Sequence, residues 1–273
     1  MVRDNNTGLI WEVKATDDSA INYNYDTYAW QAAQNVFIAG LNSDSYGTYT
    51  DWRMPTIMEL STIVNDGTSN PAINEDYFPN SFADTSYPGL YWTSTSYNSD
   101  SSQAWMVFFE DYDGYDVTGV SSKLTAYSVR AVRGAQFRTG GFVNNGNGTV
   151  TDTYTGLMWA QNPIQIGYPD WSSSMGYCED LTLPLVAGYT DWRMPNRIEL
   201  QSLVDYTRSD PAINTGYFPS TMYDFEAAYG WTSTTIMGAT SQAWCVDFSN
   251  GDIISEYKSD YYFGYVQAVR GGQ

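Results

Sequence analysis

A seven-residue segment occurs twice in this chain, and that repetition limits the fold more than any other feature. Tyr49-Thr50-Asp51-Trp52-Arg53-Met54-Pro55 returns as Tyr189-Thr190-Asp191-Trp192-Arg193-Met194-Pro195. An identity of that length containing Trp, Arg, Met and Pro does not arise by chance. The same order of landmarks surrounds each copy, so the chain reads as one domain built twice. Its 273 residues are enough for two such domains with their own cores. The separation between matching residues shrinks along the chain, so length changes fall in loops, where domains tolerate them. The connecting segment is 135–141, which gives domains 1–137 and 138–273.

Each copy opens on a Thr-Gly-Leu turn and a strand, Thr7-Gly8-Leu9-Ile10-Trp11 and Thr155-Gly156-Leu157-Met158-Trp159. The second is preceded by Asn144-Asn145-Gly146-Asn147-Gly148, whose Asn-Gly steps favour a tight hairpin. A strand at 149–151, a turn and a strand through 157–159 follow. The first copy lacks this hairpin and reads as trimmed at its start. Trp30, Ala33, Phe37 and Leu41 recur at helical spacing, as do Trp171, Met175 and Cys178, and both stripes are expected in the core.

A second helix follows the repeated motif. Thr56 with Glu59, and Asn196 with Glu199, have the spacing of a capping box. Leu60, Ile63 and Val64, matched by Leu200, Leu203 and Val204, form its buried stripe. Asp51 and Arg53, with Asp191 and Arg193, are assigned to a structural ion pair or a backbone clamp. Then comes a long irregular stretch kept in register, Pro71-Ala72-Ile73-Asn74 with Tyr77-Phe78-Pro79 against Pro211-Ala212-Ile213-Asn214 with Tyr217-Phe218-Pro219. Such a loop must be pinned by its aromatics. Three strands close each copy, at 91–95, 103–109 and 127–134, then 230–234, 242–248 and 265–271. The fold class is α+β.

Composition excludes whole classes of function. Lys plus Arg number 12 against 31 Asp plus Glu, a net charge of −19 that repels nucleic acid and anionic membrane surfaces. With no His there is no imidazole base and no Ser-His-Asp triad. Two Cys cannot build a Cys-rich zinc site. No apolar run reaches a membrane span, and the N-terminus shows no signal-peptide pattern. The expectation is a non-enzyme with no cofactor other than calcium.

Taken together, Asn-Gly-Asn-Gly-Thr-Val-Thr-Asp, Thr-Gly-Leu-Met-Trp, Tyr-Thr-Asp-Trp-Arg-Met-Pro with Glu-Leu, Trp-Thr-Ser-Thr, Ala-Trp-x-Val-x-Phe and Val-Arg-Gly resemble one family. It is the bacterial domain named for the C-terminal region of the Legionella collagen-like adhesin, and the resemblance covers nearly the whole chain in two copies. It implies tandem C-type-lectin-like domains, each with two helices, a small twisted antiparallel sheet and a long irregular loop region. It implies an exported, secreted or surface-displayed adhesin-like module that recognises a glycan or a protein. Some relatives of this fold are diversified by retroelements near the C-terminus, and a structural surface or assembly component is a further alternative. The formylglycine-making enzymes of the fold class use a Cys pair, and Cys178 and Cys245 do not occupy that motif.

The binding face is assigned to the turns and strands after Trp92 and Trp231. It comprises Tyr97, Asn98, Tyr112 and Tyr115 in copy one, and Thr235, Ile236, Tyr257, Asp260, Tyr261, Tyr262 and Phe263 in copy two. Tyr and Asn together make a paratope-like surface. The two copies differ most here. Asp111, Asp113 and Asp116 around Gly114 have spacing that suits Ca²⁺, and an acidic hairpin turn is the plain reading. Cys178 and Cys245 align with Phe37 and Met106, so both belong inside; a disulfide and two buried free thiols are both compatible with that placement. The eight Trp of the repeated motifs, among them Trp105 and Trp244, are assigned to the core or just beneath the surface.

Overall fold

The computed structural model describes residues 1–69, 71–81, 89–109, 116–137, 140–165, 169–180, 188–219, 228–260 and 265–271. The chain divides into two compact units, Met1–Phe137 and Arg138–Gln273.

The first unit begins with β1 (Val2–Arg3) and β2 (Ile10–Trp11). Gly8 at φ +75° makes the turn between them, which Asp4 closes by accepting from Asn6 N and Thr7 Oγ1. After β3 (Tyr28–Ala29) a helix runs through α1 (Trp30–Ala32), a π-helical turn (Ala33–Ile38) and α2 (Ala39–Ser43). Ala33, Phe37, Ile38 and Leu41 are buried and Trp30 is half-buried, so most of the expected stripe faces the core, with a wider turn than a plain α-helix. Helix α3 (Ile57–Ser61) carries the capping box, with both Thr56–Glu59 hydrogen bonds formed.

Strands β4 (Leu90–Ser96), β5 (Gln103–Phe108) and β6 (Thr118–Ser122) form the central antiparallel sheet. Strand β7 (Ala126–Tyr127) pairs with β3, and β8 (Val132–Arg133) with β2. Two expectations change here. The single strand at 127–134 is two short strands on different sheets, and β6 went unpredicted. The core joins Phe37, Leu41, Trp52, Trp92, Met106 and Val129.

The second unit opens with β9 (Phe142–Asn144), β10 (Thr149–Asp152) and β11 (Met158–Ala160), followed by β12 (Ile164–Gln165). Helix α4 (Trp171–Glu179) is regular and capped by Asp170, and α5 (Arg197–Gln201) starts with the Asn196–Glu199 capping box. Strands β13 (Tyr229–Ile236), β14 (Ala239–Asp247) and β15 (Asp252–Tyr257) make the central sheet with β16 (Tyr265–Val266), while β17 (Val269–Arg270) pairs with β11 on the other sheet, so the single strand expected at 265–271 is also two. One pairing, β13 with β16 at Gly230 and Tyr265, is parallel, so the sheet is not wholly antiparallel. Cys178, Trp192, Trp231, Cys245 and Ala268 form the core.

The irregular segments are held as the register implied. Phe78 and Phe218 are buried, while Ala72 N and Ala212 N donate to Phe109 O and Phe248 O, each at 2.7 Å. Main-chain bonds therefore share the pinning with the aromatics. Leu203 and Val204 are buried as expected, and their counterparts Ile63 and Val64 are half-buried.

Candidate functional site

The repeated motifs tie the interior together in the same way in both units. Arg53 meets Glu59 through two bonds of 2.6 Å, and Arg193 meets Glu199 at 2.7 and 2.6 Å. Such paired donors match a carboxylate's two oxygens. Asp51 binds Arg133 at 2.6 and 3.1 Å, and Asp191 binds Arg270 at 2.7 and 3.1 Å. Hydrogen bonds from these arginines hold both aspartates below the usual carboxylate range. Arg133 and Arg270 also lie over Tyr49 and Tyr189. Arg53 and Val132 exchange main-chain bonds of 2.9 Å in both directions, as do Arg193 and Val269. The motif is both the ion pair and the backbone clamp that its sequence suggested.

Trp-Thr-Ser-Thr is a latch of the same kind. The Thr93 and Thr232 hydroxyls donate to Trp105 O and Trp244 O at 2.8 Å, and the next Ser N–H donates to Pro55 O or Pro195 O. Thr95 and Thr234 accept from the first helical N–H of α3 and α5. Trp30 and Trp171 donate to the carbonyls of Thr93 and Thr232, each at 2.8 Å. A lysine then closes the root of each hairpin, a contact sequence reasoning missed. Lys123 Nζ sits 4.4 Å from the Trp30 ring centre and donates to Ser96 Oγ; Lys258 Nζ sits 4.1 Å from that of Trp171 and donates to Thr235 Oγ1. The repeat of Lys after the sheet was the available signal.

What projects beyond this latch differs between the units. In the first, residues 97–102 link β4 to β5; Tyr97 is half-buried with its ring edge-on to Trp105 at 5.5 Å, and Asn98 is exposed. In the second, Met237 and Gly238 alone link β13 to β14. Thr235 is engaged by Lys258, and Ile236 is 5% exposed. Ile236 is therefore a packed residue and not part of an exposed face, because it turns inward where the hairpin bulges.

Tyr257, 51% exposed, ends β15 opposite Gln242, and Asp260 N donates to Tyr257 O. Trp244 is half-buried and shares the strand face of Gln242, so the second unit offers a Trp beside Tyr257 where the first seals Trp105 under Tyr97. The alignment carried that signal, since the position of Tyr97 is Ile236 in the second copy. Tyr112, Tyr115, Tyr261, Tyr262 and Phe263 lie outside the described residues, as do Asp111 and Asp113; Asp116 is exposed.

The titratable groups inside are enclosed. Cys178 and Cys245 are buried free thiols in one core; burial raises Cys178 to about 12 and Cys245 well above its ordinary value. The first unit also buries an ionic cluster that the sequence reading missed. Arg130 donates to Glu12 O at 2.8 Å and Ser81 Oγ at 2.9 Å, and Lys14 lies 3.6 Å from Glu12. Burial lowers the Lys14 pKa against the pull of Glu12. The second unit has Ala160, Asn162 and Gln267 at these positions, so the charges belong to one copy's interior and not to a shared chemistry.

Comparison with protein families matches residues 1–133 and, separately, 148–270 to the Lcl C-terminal domain. Comparison with curated proteins returns no match. No described helix is long and apolar enough to cross a membrane.

Proposed function

The chain belongs to the Lcl C-terminal domain family in two tandem copies, and from that premise we propose that it is a non-catalytic, adhesin-like binding protein acting outside the cell. Each copy takes the C-type-lectin-like form and recognises a glycan or a protein surface. The reading rests on one observation: repeated motifs fastened by the same bonds in both units carry hairpin ends that differ. A scaffold under selection for chemistry would keep its polar cluster, whereas here the matched polar groups are consumed in fastening the fold.

Charge narrows the ligand. Arg53, Arg133 and Lys123 in one unit, and Arg193, Arg270 and Lys258 in the other, are engaged with carboxylates, hydroxyls or rings. Few cations remain for the outside of a chain with net charge −19. The ligand is therefore neutral or cationic, and it meets aromatic faces around Tyr257 with Trp244, and Tyr97 with Asn98. Rigid amphipathic rings give contact area at low entropic cost.

An array of neutral, cationic and sulfated glycans and of host surface proteins, probed with the full chain, tests this. Binding to a neutral or cationic ligand is expected, and Tyr257→Ala or Tyr97→Ala weakens it about tenfold, the former without lowering Tm. Binding confined to sulfated glycans, or indifferent to both substitutions, contradicts the assignment. Repeating the array with EDTA and with Ca²⁺ tests the acidic segment 111–116 for a cation.

A further inference from the structure

Three Asn-Gly steps occur in the chain: Asn145-Gly146, Asn147-Gly148 and Asn250-Gly251. Each lies in a turn that needs positive φ, and Gly146, Gly148 and Gly251 take +74°, +82° and +98°. A glycine after asparagine also carries no side chain to screen its own amide nitrogen. That nitrogen can attack the asparagine Cγ and close a succinimide ring. The fold treats the three steps differently.

Ring closure is favoured by a main-chain N–H with no acceptor, and by a donor on the amide oxygen, where negative charge collects as the nitrogen adds. At Asn250 the attacking group is occupied: Gly251 is buried, and its N–H donates to Asp247 O at 2.7 Å. At Asn145 it is occupied too, because Gly146 N donates to Asn144 Oδ1 at 2.8 Å. Asn145 Nδ2 is itself held by Thr149 Oγ1 and Thr151 Oγ1 at 2.8 and 2.9 Å. Asn147 is exposed, and neither Gly148 N–H nor Asn147 Nδ2 has a hydrogen bond among the described residues. Thr149 Oγ1 donates to Asn147 Oδ1 at 2.7 Å. Because Asn145 Nδ2 donates to that same hydroxyl, the hydroxyl hydrogen is directed at Asn147.

We propose that Asn147 is a self-modification site, deamidating through a succinimide with Gly148 ahead of Asn145 and Asn250, with Thr149 Oγ1 as the positioning donor. Gly148 N gives its proton to hydroxide and bonds to Asn147 Cγ. The Cγ–Nδ2 bond breaks, and the nitrogen takes a proton from water and leaves as ammonia. Water then opens the ring. Opening at Cγ gives aspartate; opening at the main-chain carbonyl gives isoaspartate, whose main chain runs through Cβ and Cγ. Water is the only reactant consumed. Either product puts a negative charge in the turn between β9 and β10. The iso form also lengthens the main chain beside Gly148 O, which accepts from Gln161 N at 2.8 Å. This chemistry is independent of the faces around Tyr97 and Tyr257.

The test is incubation of the full folded chain in mildly alkaline buffer, followed by peptide mapping with fragmentation that separates aspartate from isoaspartate. Asn147 should convert about tenfold faster than Asn145 or Asn250 in the same sample, and isoaspartate should appear among its products. Thr149→Val should slow Asn147 about tenfold relative to Asn250 in the same chain. Asn144→Ala, a change at an exposed position, frees Gly146 N–H and should speed Asn145 while the hairpin stays folded. In urea the three rates should converge. The proposal is overturned if Asn145 or Asn250 reacts first, if the folded chain converts all three equally, or if the same order persists in urea. It is equally overturned if Thr149→Val leaves the Asn147 rate unchanged, or if Asn144→Ala leaves that of Asn145 unchanged.

Discussion

Glu59 illustrates how much one side chain can fix. Its carboxylate accepts from Thr56 N, from both terminal nitrogens of Arg53 and from Phe137 N at 2.9 Å, and it is wholly buried. One residue thereby caps α3, anchors the repeated motif and fastens the end of the unit. Removing Arg53 would leave that charge inside without its cation, and breaking a buried pair from one side costs about 3–5 kcal/mol. Arg53→Ala should lower the unit's stability by that order in urea unfolding. Arg193→Ala should cost less, because the side chain of Glu199 is 11% exposed and water can compensate it. Equal small losses for both would show that the pair does not hold the motif. The sequence revealed Glu59 as a capping residue from its spacing to Thr56. It could not reveal that the same carboxylate also serves Arg53, because a pairing seen as spacing shows only one partner.

Elements were legible where the pattern was local. Both capping boxes, the core stripe of the first helix and the pinned loop follow from spacing and apolar periodicity. Strands β6 and β15 were not, since Thr118-Gly119-Val120-Ser121-Ser122 has no alternation strong enough to mark a strand and acquires one only by pairing with β5. The inward turn of Ile236 was equally hidden, because a bulge between β13 and β14 resets which face each residue takes. Strand β15 also carries a cost. Burial, and then the negative charge of Asp260, raise the pKa of Glu256. A carboxyl raised in the folded state stabilises it fully below the unfolded value of about 4.3, and that contribution is lost as pH rises through the folded value. Glu256→Gln removes the loss, so its Tm should exceed that of the parent at pH 7. The gap should close as pH falls towards about 4. Because Glu256 is only half-buried, solvent keeps the gain small. A gap that widens in acid would reverse the sign of this account.

At the scale of the molecule, one fold has been fastened twice by the same contacts, and its outer surfaces have diverged. That duplication was readable from seven residues. Native-state hydrogen exchange on the full chain tests the duplication most directly. The amides of Arg53 and Val132, and those of Arg193 and Val269, bond reciprocally at 2.9 Å and should form matched slow sets in the two units. Met237, at the hairpin end of the second unit, should exchange fast. Slow exchange at one bridge with fast exchange at the other would contradict the claim that both units are held by one shared set of contacts.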